Sequence, residues 1–224
     1  MIRASILLEE KQNQQVLTFL RNLKEGKVCV HPTDTIPGLT CDPWNESSIE
    51  SLEQNKKRSE KKAFVGLISS FEKALRFWQP LPKFWIKLLP YVWPRPVTFI
   101  WKAGTNVPTC FVSQNGELAL RYPRLQPEAY WFHRVMDQVD YPLPSTSINY
   151  QKGTPIVSGE ELSDFCKMHS IYLPDLLPPP PPAHSLPSSL IRIIDEKNYE
   201  WLRKGAISPD EFSLLYNSLK LSHL

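Results

Sequence analysis

The chain has 224 residues, of which 42% are hydrophobic and 22% are charged, and its formal net charge is only +3. This size and composition fit one globular domain, or one domain with a small appendage, with enough apolar side chains for a core. Such a small net charge does not indicate binding to nucleic acid or to a membrane. Only local clusters of charged residues could indicate it. The apolar stretches are too short for a signal peptide or a bilayer span, which predicts a soluble, cytoplasmic protein with no membrane partner.

The cysteines give no sign of a metal site. The four are far apart in the chain and include no CxxC pair and no histidine at ligand spacing. This spacing argues against structural zinc and indicates reduced thiols. Cys29 is predicted to be a small core residue. No other set of metal ligands stands out, so no metal site is predicted.

In the first part of the chain, a helix is predicted over residues 9–25, where apolar residues recur at helical spacing, and Gly26 is expected to end it. A strand at 28–31 runs into a polar turn, and His31 is interpreted as a structural residue of that strand. Ser47-x-x-Glu50 has the pattern of a capping box and predicts the next helix, which runs on toward a basic cluster.

Strands and helices keep mixing after this point, without strict βαβ alternation. The remaining predicted strands are 64–68, 97–101, 118–120, 143–148 and 190–194. The remaining predicted helices are 70–78, 83–92, 128–139, one opened by the Ser158-x-x-Glu161 box, and 208–219, where Ser208 is the expected N-cap. This order predicts an α/β (mixed α+β) fold with one mixed sheet, in a single domain over residues 1–224.

Proline is unusually common, with 22 residues against 8 glycines, and five prolines are consecutive at 178–182. Because a proline run is extended and cannot join a packed core, residues 174–187 are predicted to be a stiff surface connector. A ligand for a proline-binding domain is the alternative, and the position between two polar motifs also permits a lid.

Three polar clusters carry the candidate chemistry. They are the turn 32–38, the run 56–62 with five cations in seven residues, and the strand end 144–149. Each alone has an ordinary interpretation, as a turn, a solvated basic face or a strand end. Together with Arg121 and Arg203 at predicted strand ends, they offer cations and neutral hydroxyl or amide groups but no His–carboxylate pair. That inventory suits binding of a polyphosphate and a small zwitterion better than hydrolysis.

These motifs resemble, in order and spacing, the YrdC-like threonylcarbamoyl-AMP synthase family over nearly the whole chain. The matching motifs are Pro32-Thr33-Asp34-Thr35-x-x-Gly38-Leu39, Lys56-x-Arg58, Trp93-Pro94-x-Pro96-Val97-Thr98-Phe99, Leu120-Arg121-x-Pro123, Ser145-Thr146-Ser147-x-Asn149, Pro187-Ser188-Ser189 and Leu202-Arg203-x-Gly205. The resemblance implies a twisted mixed sheet with a concave basic cavity. It also implies a nucleotidyltransferase that turns L-threonine, bicarbonate and ATP into threonylcarbamoyl-AMP and pyrophosphate, with Mg²⁺ accompanying the nucleotide.

The resemblance also implies partners and residue roles. Transferase partners that modify tRNA would move the threonylcarbamoyl group to the adenosine beside the anticodon. Direct RNA binding is a further expectation. Threonine would be bound by Thr35, Arg121, Ser147 and Ser188, and ATP by Lys56, Arg58, Lys62, Asn149 and Arg203. Lys56 and Arg58 would also be catalytic. Ser147 and Asn149 would divide their hydrogen bonds between threonine and the nucleotide.

Three positions depart from the family pattern. Pro37 stands where an aromatic residue is usual, Arg95 replaces a glycine, and Gly66-Leu67 stands where many members have a histidine. The first and third put threonine binding and rate in question. Arg95 is expected to face water, with a phosphate contact as the alternative.

Two other functions compete with the synthase. One is a non-catalytic protein of the same fold that binds nucleotide or RNA in its basic cavity, and the other is a related carbamoyl-adenylate enzyme. An RNA binder needs cations and stacking aromatics and has no reason to keep Thr35, Ser147, Asn149 and Ser188 together. Their joint presence favours the synthase.

Overall fold

A computed structural model describes residues 2–56, 62–148, 156, 159–179 and 185–221. In these ranges the strands are β1 (Cys29–His31), β2 (Gly38–Thr40), β3 (Val65–Leu67), β4 (Val97–Lys102), β5 (Glu117–Arg121), β6 (Leu143–Ser147), β7 (Ser189–Ile193) and β8 (Tyr199–Arg203). The α-helices are α1 (Ile2–Lys24), α2 (Glu46–Lys56), α3 (Phe71–Phe77), α4 (Lys83–Val92), α5 (Tyr130–Gln138), α6 (Gly159–Met168) and α7 (Pro209–Leu221).

The strands form one mixed sheet in the order β1-β2-β6-β3-β5-β4-β7-β8. Strand β3 runs parallel to β5 and β4 runs parallel to β7, while the other neighbours are antiparallel. The predicted mixed α/β fold class is therefore confirmed. No helix among the described residues has both the length and the apolar character that crossing a bilayer requires.

The core lies on both faces of this sheet, because successive strand residues point to opposite sides. Cys29 of β1 is fully buried in a cluster that also contains Phe19 of α1 and Trp131 of α5. Its neighbours Val28 and Val30 belong to a second, larger cluster built with the other helices. Burying a large apolar side chain contributes roughly 1.5–3 kcal/mol, so the two clusters fix the sheet between its helices.

The predicted helix ends are correct at two places. Gly26 has a positive φ of 76° and its N–H bonds the Leu23 carbonyl at 2.9 Å, which ends α1 in a conformation that glycine adopts without strain. Ser208 caps α7 by accepting a hydrogen bond at 3.1 Å from the Glu211 N–H.

The start of α2 differs from the predicted capping box. The cap is Asn45, whose Oδ1 accepts hydrogen bonds from the Ser48 N–H at 3.1 Å and from the Ser47 hydroxyl at 2.7 Å. The helix therefore begins at Glu46, before the proposed Ser47 cap. An asparagine satisfies the first free amides as well as a serine does, so the box pattern was right about the helix and wrong about its cap.

The predictions give no range for strands β2 and β8, although they place Arg203 at a strand end. Strand β2 has only three residues and follows directly on the polar turn, where composition indicates no strand. Strand β8 lies at the sheet edge and has mostly exposed or half-buried residues, so it lacks an apolar pattern. Of the proline-rich connector, residues 180–184 lie outside the described residues, as does the Ser158 cap position.

Candidate functional site

The turn after β1 is closed by its own threonines. Thr33 Oγ1 accepts a hydrogen bond from the Thr35 N–H at 3.0 Å and donates one to the Ile36 carbonyl at 2.8 Å. Asp34 points back into the protein, where its Oδ2 accepts a hydrogen bond from the Arg124 N–H at 3.0 Å. The turn thus holds both Thr35 and the Asp34 carboxylate in fixed positions.

Arg121 is the cation at the centre of the sheet. It ends β5 and pairs with Leu67 on one side and Thr98 on the other. Its Nη2 donates to the Asp34 carboxylate and, at 2.9 Å, to Thr35 Oγ1. Its buried Nε has no hydrogen-bond partner within the described part of the chain. A buried donor left unpaired in the protein is costly, so Arg121 has a donor to offer a ligand.

A second cation, Arg203, ends β8 and is tied to Ser188. Its Nε donates to the Ser188 carbonyl at 3.0 Å and its Nη2 to Ser188 Oγ at 3.3 Å, while that hydroxyl also shares a hydrogen bond of 2.9 Å with Thr98 Oγ1. Burial and the nearby Arg121 guanidinium lower the pKa of Arg203. The two arginines therefore lie close enough to feel each other's charge.

Glycine at position 205 allows this arrangement. A Cβ atom there would lie 2.3 Å from the Pro187 carbonyl oxygen and 2.7 Å from the Ser188 carbonyl carbon. Contacts this short do not occur, so the segment after Arg203 can approach the Ser188 backbone only because residue 205 lacks a side chain.

These groups meet at one cavity of about 190 Å³. Five predicted site residues line it, namely Thr35, Arg121, Ser147, Ser188 and Arg203. The lining also includes three polar residues without a predicted role, Thr33, Ser145 and Thr146. Ser145 and Thr146 belong to the strand-end motif 144–149. Their place in that motif is the sequence signal that predicts them in the cavity wall.

The part of the chain that forms this cavity matches a known protein family. The sequence model of the Sua5/YciO/YrdC family, described as telomere recombination, matches residues 21–205. The chain belongs to the Sua5/YciO/YrdC family. The family predicted from the motifs is thereby confirmed.

Individual proteins resemble this chain in sequence and in fold. The threonylcarbamoyl-AMP synthase of Blochmanniella pennsylvanica is 29% identical over 148 residues, which are 65% of this chain and 74% of the relative. The crystal structure of P. abyssi Sua5 complexed with L-threonine superposes with a TM-score of 0.76 at 18% identity, over 91% of this chain and 57% of Sua5. E. coli YciO superposes with a TM-score of 0.73 at 18% identity, over 90% of this chain and 93% of YciO. The chain thus spans little more than half of the P. abyssi Sua5.

Lys62, another residue predicted to bind ATP, lies beside the cavity and not in its described lining. Lys62 borders two neighbouring hollows of about 730 and 420 Å³. The adjacent Ala63 borders both hollows and the cavity, so the three spaces adjoin. Lys56 ends α2. Arg58 and Asn149 lie outside the described residues.

The three departures from the Sua5/YciO/YrdC pattern have different surroundings. Pro37 and Leu67 both line the cavity, so two of the three departures from the family pattern lie in its wall. Arg95 instead forms a surface ion pair with Glu211 of α7, with its Nη1 2.7 Å from the carboxylate oxygen. Arg95 thus lies at the protein surface, as expected, and is paired there with a carboxylate of α7.

Proposed function

We propose that this protein is a threonylcarbamoyl-AMP synthase, a nucleotidyltransferase that converts L-threonine, bicarbonate and ATP to threonylcarbamoyl-AMP, pyrophosphate and water. The supporting observation is that five residues predicted for threonine and ATP, spread from Thr35 to Arg203, line one cavity. Relatives named threonylcarbamoyl-AMP synthase and a Sua5 complexed with L-threonine support the same activity.

Threonine would bind at the inner end of the cavity. Arg121 has a spare buried donor for a carboxylate, and charge-assisted hydrogen bonds from a guanidinium are the strongest that a carboxylate forms. The hydroxyls of Thr35 and Ser188 flank it, since each bonds one of the two arginines. Ser147 would contribute at the mouth of β6.

ATP would extend from Arg203 toward the larger hollow. Lys62 borders that hollow of about 730 Å³, which has the size of an ordinary small-molecule site. Lys56, Arg58 and Asn149 would complete the phosphate contacts. Among the described residues, no group of three or more His, Cys, Asp or Glu could hold a metal ion. Mg²⁺ would accompany the nucleotide.

The chemistry needs cations more than a base. Bicarbonate takes up a proton and releases carbon dioxide and water, and the neutral threonine amine adds to the carbon dioxide and gives up a proton to form a carbamate. A carbamate oxygen then attacks the α-phosphorus and displaces pyrophosphate. Two anions must therefore meet, and a pair of unit charges ~4 Å apart repels by roughly 1 kcal/mol in water and about 4 kcal/mol at an effective dielectric of 20. Arg121, Arg203 and the cations of the 56–62 run oppose that repulsion and the charge on the leaving group.

The test is to incubate the purified protein with ATP, Mg²⁺, labelled bicarbonate and single amino acids. We expect pyrophosphate release and a labelled adduct that both depend on threonine. Arg58→Ala should lower turnover at least ~100-fold, the scale of losing one transition-state contact. Arg95→Ala, which breaks only the surface pair with Glu211, is the control and should retain activity.

A loss below tenfold in Arg58→Ala would contradict the phosphate role. Nucleotide binding without threonine-dependent pyrophosphate would instead favour the non-catalytic alternative. Transfer of the product to tRNA by a modifying transferase, in the cytoplasm, completes the proposal. Adding such a transferase and tRNA to the assay should carry the label into the RNA.

A further inference from the structure

His31 lies on β1 with no solvent exposure, and its ring stacks on Phe132 at a centroid distance of 5.0 Å and an interplanar angle of 13°. Its Nδ1 is 3.1 Å from the Pro32 carbonyl oxygen. A carbonyl oxygen only accepts hydrogen bonds, so Nδ1 must carry the ring proton. The backbone of the neighbouring residue thus selects the tautomer of His31.

The other ring nitrogen contacts Ser145, a residue of the cavity wall. His31 Nε2 is 3.1 Å from Ser145 Oγ on β6, although β2 lies between β1 and β6. The bond passes over Gly38, the β2 residue paired with His31. A Cβ atom at position 38 would lie 2.6 Å from Nε2. Only glycine at this position leaves room for the contact.

His31 stays neutral at ordinary pH. Burial, with a smaller effect of the Arg121 charge, lowers its pKa to about 4, although hydrogen bonding to the Pro32 and Leu39 backbone raises it. With its proton on Nδ1, the neutral ring presents a lone pair at Nε2. Ser145 must therefore donate its single hydroxyl proton to His31.

We infer that His31 is a positioning residue that turns the Ser145 hydroxyl into a pure hydrogen-bond acceptor toward the cavity. The same cavity is lined by Arg121 and Arg203, which can only donate. A carboxylate is recognised by the arginines, whereas an N–H or O–H group beside it needs an acceptor. Resting on the proposed function, this arrangement selects a ligand that carries a donor next to its carboxylate, as the amine and hydroxyl of threonine do.

The tautomer can be read directly in the unaltered protein. In ¹⁵N-histidine-labelled protein at neutral pH, NMR spectra that correlate ring protons with ring nitrogens over two bonds should show His31 protonated at Nδ1 and unprotonated at Nε2. A proton on Nε2 would overturn the inference, because Ser145 would then keep its own proton for the ligand. This measurement depends neither on activity nor on any substitution.

The functional consequence is tested by a double-mutant cycle on threonine binding. His31→Phe keeps a ring against Phe132 and removes Nε2, and we expect the Kd for threonine to rise about tenfold, as for loss of one oriented hydrogen bond. The KM for ATP should stay within about twofold. His31→Gln, whose amide oxygen can accept from Ser145, should recover part of the affinity.

The decisive comparison is with Ser145→Ala. If His31 acts through Ser145, then His31→Phe should cost nothing more in the Ser145→Ala background. Additive losses would mean that His31 only supports the fold, and would overturn the inference. If wild-type protein binds threonine but releases no pyrophosphate, the proposed function fails while the cycle still decides the role of His31.

Discussion

The Asp34 carboxylate and the Arg121 guanidinium form an ion pair almost closed to solvent, with side-chain exposures of 9% and 8%. A buried pair gives little net stability over apolar residues, but removing one member leaves the other charge without compensation. Asp34 therefore does more than end a turn. It holds Arg121 at the cavity wall and leaves its Nε available.

Replacing Asp34 tests this pair. Asp34→Asn keeps the shape and removes the charge, so we expect the free energy of unfolding to fall by about 3 kcal/mol, the scale of a broken buried pair. The KM for threonine should also rise, because Arg121 loses the partner that orients it. Asp140→Asn, in an exposed pair with Arg76, is the control and should change urea unfolding little.

The buried His31 predicts a pH dependence of stability. Its pKa is lowered by burial to about 4, below the value of about 6.5 expected in the unfolded chain. The part of the free energy of unfolding that depends on neutral His31 is therefore fully present above about pH 6.5. It is lost as the pH falls toward 4, on the order of 3 kcal/mol in total. Urea unfolding at pH 7 and pH 4.5 should show a larger loss for wild type than for His31→Phe, and equal losses would contradict the assignment.

At the scale of elements, α3 and α5 are joined by one lysine. Lys73 Nζ donates to the carbonyl oxygens of Met136, Asp137 and Val139, the last two at 3.0 and 2.8 Å. These carbonyls lie at the end of α5, where no further turn of helix satisfies them. A cation at this end also complements the helix dipole.

Removing the amine should loosen this junction. Lys73→Met keeps most of the side chain and drops three hydrogen bonds, so we expect unfolding to become easier by about 1–2 kcal/mol. The matched control is Lys167→Met on α6, where the lysine is largely exposed and 3.7 Å from Asp164. Equal midpoints of urea unfolding for the two variants would show that Lys73 does not cap α5.

Sequence patterns predicted the elements better than their contacts. Apolar periodicity located the long helices and the buried strands, and the motif order placed Arg121 and Arg203 at strand ends, as found. The pairs Asp34–Arg121 and His31–Ser145 are 87 and 114 residues apart in sequence. Such contacts depend on which strands become neighbours, and residue alternation within a strand carries no information on that order.

At the scale of the whole molecule, the cavity is assembled from distant parts of the chain by the strand order. The turn after β1, the end of β5, the mouth of β6 and the segments beside β7 and β8 all contribute to its wall. The large hollow adjoins it across Ala63 and Val65. Neighbouring spaces of this kind can hold two substrates side by side.

Ligand binding should therefore stabilise the fold as a unit. L-Threonine at one hundred times its Kd is expected to raise the free energy of unfolding by about 2.7 kcal/mol, because only the folded chain assembles the site. Mg²⁺–ATP should act in the same way. Butyrate, which has a carboxylate but neither the amine nor the hydroxyl of threonine, is the control and should have little effect. An unfolding midpoint that neither substrate moves would count against the cavity as their site.

The close approach at Gly205 brings the segment after Arg203 against the Ser188 backbone at the cavity. Any larger residue would have to push away the Pro187 and Ser188 backbone, and with it the serine and the arginine that bond each other. If the proposed function is correct, Gly205→Ala would therefore weaken the binding of threonine and of ATP together. A substitution at this position would then change both specificities at once, and neither could be altered there alone.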